Sequence, residues 1–77
     1  MDILDNYTLE NLFAQLGLAN TPDEINSFIQ NHHLSADIQI ADAPFWNAGQ
    51  LQFIQESLDE DAEWAEIVDE LNALLHE

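Results

Sequence analysis

Asp61-Ala62-Glu63-Trp64-Ala65-Glu66-Ile67-Val68-Asp69-Glu70-Leu71-Asn72-Ala73-Leu74-Leu75 is the stretch whose reading decides the fold. Trp64, Ile67, Val68, Leu71, Leu74 and Leu75 fall within an arc of about 120° on a 3.6-residue period. Glu63, Glu66, Asp69 and Glu70 take the other side. The pattern predicts an amphipathic helix that begins near residues 59–61 and ends at about Leu75.

The segments before it repeat the same logic. Asn47 is a good N-cap, Gln50 stands at N3 to complete a capping box, and Trp46 is placed to staple onto Leu51. Leu51, Ile54 and Leu58 form the main stripe of that third helix. Phe53 lies about half a turn away, so the helix is apolar on two sides. Residues 34–43 are harder to read. Ile38 and Ile40 alternate with polar neighbours, but a lone extended segment has no strand to pair with elsewhere, so this stretch reads as an ordered loop pinned by its isoleucines. Ala43 precedes Pro44 and is biased away from helix. Further upstream, Thr21-Pro22-Asp23-Glu24 is a capping box with proline at N1. Ile25, Phe28, Ile29 and His32 trace one stripe that ends around His32 or His33. Thr8 caps a first helix with Glu10 in its first turn, and Tyr7 is placed to staple onto Leu12. Leu9, Leu12, Phe13 and Leu16 form its stripe, and Gly17 supplies a left-handed ending on which Leu18 folds back. The expected fold is all-α: four short helices in a compact bundle, with an ordered loop between the second and third.

The chain has 77 residues, enough for one small domain spanning 1–77. Its 47% apolar content is that of a globular protein. With no cysteine there is no disulfide framework and no thiolate metal site, which fits a cytoplasmic protein. Met1-Asp2-Ile3-Leu4-Asp5 is acidic and lacks the apolar run of a secretory signal. No stretch approaches the ~20 apolar residues that span a bilayer.

Charge excludes more than it assigns. There is no lysine or arginine against 16 Asp and Glu, a formal charge of −16. Direct nucleic-acid binding needs basic side chains to neutralise phosphates, and anionic membrane would repel this surface. Half of the carboxylates lie in residues 56–70. Asp59, Asp61, Glu63 and Glu70 stand at positions 1, 3, 5 and 12 of a calcium-loop register, but position 6, which needs glycine, is Trp64. A solvated acidic face explains the run better, and no metal site is assigned. His32 and His33 point about 100° apart on a helix and cannot easily share a metal; His32 reads as a core-edge residue and His33 as exposed. There is no glycine-rich phosphate loop and no nucleophile elbow. Ser27, Ser35 and Ser57 read as surface or capping serines. No catalytic residue and no cofactor is therefore assigned, and the chain is expected not to be an enzyme.

Leu12-Phe13-Ala14-Gln15-Leu16-Gly17-Leu18, Ala41-Asp42-Ala43-Pro44-Phe45-Trp46 and Glu60-Asp61-Ala62-Glu63-Trp64-Ala65-Glu66-Ile67-Val68-Asp69-Glu70-Leu71 are distinctive as a set. In that order and spacing they resemble a family of short bacterial proteins known as a domain of unknown function, over residues 8–75. The resemblance implies a compact helical bacterial protein and no particular activity.

Two functional readings follow. Phe45, Trp46 and Phe53 form a candidate interaction patch, since aromatics are enriched in interface cores. Glu63, Glu66, Asp69 and Glu70 form a candidate acidic face. Together they point to a module that binds a basic protein partner, in its sharpest form by mimicking nucleic acid. The alternative is a structural homo-oligomer, such as a homodimer, whose acidity serves solubility or salt adaptation. A metal-binding protein is the least supported reading.

Overall fold

The computed structural model describes residues 7–77; the acidic segment Met1-Asp2-Ile3-Leu4-Asp5 lies outside them. Four α-helices follow one another: α1 (Leu9–Gln15), α2 (Pro22–Asn31), α3 (Ala48–Glu60) and α4 (Ala62–Leu75), with a 3-10 turn (Ile40–Asp42) between α2 and α3. The described residues contain no strand, so the all-α expectation holds and 34–43 is an ordered loop. The helix packing is centred on α4, which touches α1, α2, α3 and the 3-10 turn.

Helix ends sit where their capping chemistry places them. Thr8 Oγ1 accepts from Asn11 N at 3.1 Å, and Thr21 Oγ1 accepts from Glu24 N at 3.2 Å. The reciprocal box closes only at α3: Gln50 N donates to Asn47 Oδ1 (2.8 Å), and Asn47 N donates to Gln50 Oε1 (3.0 Å). At the end of α1, Gly17 has φ +74°. Gly17 N donates to Ala14 O and Leu18 N to Phe13 O, the paired bonds of a Schellman ending. Gln50 Nε2 donates to Leu16 O at 2.9 Å, so one side chain caps α3 and ties it to the last turn of α1.

The core collects one stripe from each helix. Leu12, Phe13, Ile54, Val68, Leu71 and Leu75 are fully buried, joined by Leu16, Ile25, Leu34, Ile40, Ala43 and Trp46. Ser57, which reads from sequence as a surface serine, is instead buried in α3. It lies three residues after Ile54, on the face that α3 turns inward. Every described carboxylate is exposed except Asp61, which is half-buried as the N-cap of α4.

Loop 34–43 is held by the end of α4. Leu34 N donates to Leu75 O at 2.8 Å, and Ile40 N donates to Asn72 Oδ1 at 3.0 Å. His76, the C-cap of α4, lies between Asn72 O and Ile38 O. The isoleucines pin the loop as expected, Ile40 buried and Ile38 half-buried, but backbone bonds to α4 share the work.

Candidate interaction site

Two aromatic groups form, and the candidate patch is divided between them. Trp46 is buried, with its indole N–H donating to Ile40 O at 2.9 Å. Its ring stacks on Phe28 (5.8 Å, 20°) and meets Phe45 edge-on (4.7 Å, 64°). Phe45 also meets His32 edge-on at 4.8 Å, and His32 stacks on Phe28 at 3.9 Å. This first group fills the space between α2 and the entry to α3. Phe45 is half-buried at its edge.

Phe53 joins the second group, formed where α3 turns into α4. Asp61 is the single residue between these helices and caps α4, its Oδ1 accepting from Trp64 N at 3.2 Å. That bond fixes Trp64 in the first turn of α4, where its ring meets Phe53 edge-on (5.8 Å, 72°). Tyr7 meets the same indole edge-on at 5.0 Å. Tyr7 thus makes an aromatic contact across to α4. Phe53 and Trp64 are both half-buried, and Tyr7 is 38% exposed.

A shallow groove of ≈ 330 Å³ lies along this corner, lined by Phe53, Trp64, Glu56, Ser57, Glu60 and Asp61. Two half-buried rings and three carboxylates share this lining. Aromatic faces carry negative quadrupole charge, so rings and carboxylates favour the same kind of ligand, a cationic group with an apolar stem. One local contact reaches these carboxylates: Gln52 Nε2 donates to Glu56 Oε2 at 3.1 Å. Glu63, Glu66, Asp69 and Glu70 are all exposed on α4 beyond the groove. Among the described residues no three His, Asp or Glu side chains converge as a metal site. His32 Nδ1 donates to Phe28 O (2.8 Å), and His33 is exposed.

The sequence stretches singled out as a set serve the fold. The first is α1 with its Schellman ending, the second the 3-10 turn and the entry to α3, the third α4 with its cap. Sequence reasoning missed Tyr7 as a companion of Phe53 and Trp64, because pairing across segments is not written in periodicity.

The model of a family described as "Protein of unknown function (DUF2789)" matches residues 1–75. The solution NMR structure of protein CV0237 from Chromobacterium violaceum is similar to this chain, with 42% identity, 92% of this chain and 90% of that chain covered, and a TM-score of 0.80. No curated protein matches.

Proposed function

The chain belongs to the DUF2789 family of proteins of unknown function, and we propose that it is a non-enzymatic module that binds a basic protein segment. The observation that carries this reading is the groove at the α3–α4 corner, where Phe53 and Trp64 are bordered by Glu56, Glu60 and Asp61. A lysine or arginine side chain laid there would rest its stem on the rings and its charge against the carboxylates. The exposed acids of α4 extend the attraction, steering a positive partner and setting its orientation. The chain offers no lysine or arginine of its own to compete for these carboxylates. A cytoplasmic setting, with no nucleic-acid or membrane ligand, completes the proposal. No helix among the described residues is long and apolar enough to cross a membrane.

Self-association has less support. Two copies at −16 each repel, and Tyr7 is the one large apolar side chain that stands exposed among the described residues. The test is an NMR titration with an arginine- and lysine-rich peptide at low salt. Saturable shifts at the Trp64 indole and at Phe53, weakened by Trp64→Ala and by added salt, are expected. Shifts spread evenly over all acidic residues, with no preference for the corner, would sink the reading.

A further inference from the structure

His76 is the place where this acidic chain has need of a cation. Its Nδ1 lies 2.6 Å from Asn72 O and its Nε2 lies 2.6 Å from Ile38 O. Carbonyl oxygens only accept hydrogen bonds, so each ring nitrogen must donate. A neutral imidazole has one N–H and would turn a lone pair toward the other carbonyl. Only the imidazolium satisfies both. His32 is a built-in contrast, with a single carbonyl partner at Nδ1, which a neutral ring can serve.

Three further features favour the charged form at His76. It stands at the C-terminal end of α4, where the helix dipole attracts a cation. Its last turn contains no lysine or arginine to compete for those carbonyls. The surrounding charge is uniformly negative, which favours protonation at any histidine within reach. The pKa is raised from its ordinary 6.5, chiefly by the Asn72 carbonyl, then by that of Ile38, with a smaller part from Ser35, against the opposing effect of burial. The titratable groups on the surrounding segments are Asp37 and Asp42 on the loop, Glu70 and Glu77 at the end of α4, and His33 after α2. All five are exposed.

We propose that His76 is a proton-operated latch that fastens loop 34–43 to the end of α4, and that loss of its Nε2 proton, with Nδ1–H kept on Asn72 O, frees the Ile38 carbonyl and loosens the loop. The loop is otherwise held by Leu34 N on Leu75 O, Ile40 N on Asn72 Oδ1, the Trp46 indole on Ile40 O and a long bond from Asn72 Nδ2 to the exposed Gln39 Oε1 (3.4 Å). Release at Ile38 therefore opens the middle of the loop first, between two intact anchors. The stabilisation is fully present below pH 6.5 and is lost as pH rises through the folded-state value. The latch stands independently of the corner groove, which lies at the opposite end of α4.

Long-range proton–nitrogen NMR of the ring tests it directly. Both nitrogens of His76 should be protonated at pH 6.5, and deprotonation should occur above that value. Amide protection at Ile38, whose N–H donates to Ser35 O at 3.0 Å, corrected for intrinsic exchange, should be lost over the same interval, while Ile40, anchored on Asn72 Oδ1, keeps its protection. In His76→Gln that coincident loss should disappear. A neutral ring at pH 6.5 overturns the latch, as does an Ile38 amide that ignores the ring's titration. Both readouts come from the unmodified chain, so failure of the variant to fold leaves the test decisive.

Discussion

Replacing Trp46 by phenylalanine removes the indole N–H that donates to Ile40 O and keeps an aromatic ring in place. The cost separates into two parts. Ile40 O also accepts from Ala43 N at 3.2 Å, so the carbonyl is not orphaned by the change. The lost bond should therefore contribute about 1 kcal/mol, the net value of an ordinary buried bond, and not the larger penalty of an unsatisfied acceptor. Trimming indole to phenyl leaves a void of ~40 Å³, which at ~24 cal/mol per Å³ adds about 1 kcal/mol. The total is about 2 kcal/mol. A domain of this size has roughly 4–12 kcal/mol in all, and each kcal/mol shifts its midpoint by ~4–8 °C. Trp46→Phe should then lower Tm by roughly 8–16 °C, read by circular dichroism and by urea denaturation at unchanged slope. Trp64→Phe is the control. That indole is half-buried and makes no hydrogen bond through Nε1 among the described residues, so its loss should cost under about 1 kcal/mol. Equal losses for the two variants would refute the reasoning, because they would show that the Ile40 bond contributes nothing.

Leu71→Ala, at a fully buried site facing the whole bundle, should cost about 2–5 kcal/mol, visible as a large fall in the urea midpoint. Gly17→Ala should cost about 1 kcal/mol from backbone strain alone, since φ is +74° and no atom lies within 4 Å of the added Cβ. Raising salt to about 0.5 M should increase Tm of the wild type by screening its like charges; a flat response would show that their repulsion is already negligible. The double change Asp59→Asn with Glu60→Gln should stabilise the free protein by about 0.3–1 kcal/mol at low salt and weaken its binding to a basic peptide. Urea denaturation and titration of the same sample read both effects, and loss of stability would contradict the first.

Sequence carried the helices because capping and periodicity are local. Thr8, Thr21, Asn47 and Asp61 all cap where their side chains and spacing say they should. Val68 is buried because it continues a stripe that a 3.6-residue count exposes. What was not legible depends on residues brought together from far apart. His76 and Ile38 are 38 positions apart, and nothing in either neighbourhood announces the bond. Trp64 and Phe53 meet because the chain reverses at one residue, Asp61. Phe45 and Phe53, grouped as aromatics suited to an interface, separate because the third helix begins between them and turns their side chains to different neighbours.

The α3–α4 corner also shows where the chain departs from its own electrostatic logic. Four acids elsewhere, Glu10, Asp23, Glu24 and Glu63, stand in first turns of helices, where the dipole favours them. Asp59 and Glu60 occupy the last turn of α3, where it does not. Glu56 and Glu60 are four residues apart on one helix and repel. The start of α4 offsets part of this, since only Asp61 separates the two helices. No lysine or arginine is present to offset the rest. A stabilising solution is close at hand: neutral residues at 59 and 60 would keep both helices and leave the Asp61 cap intact. Local conflicts of this kind are expected where a surface serves something other than folding. The conflict borders the same groove in which Phe53 and Trp64 leave aromatic surface half-covered. A cationic partner would relieve the repulsion and cover the rings in one contact, so the features that cost the free protein stability are those that would strengthen the complex.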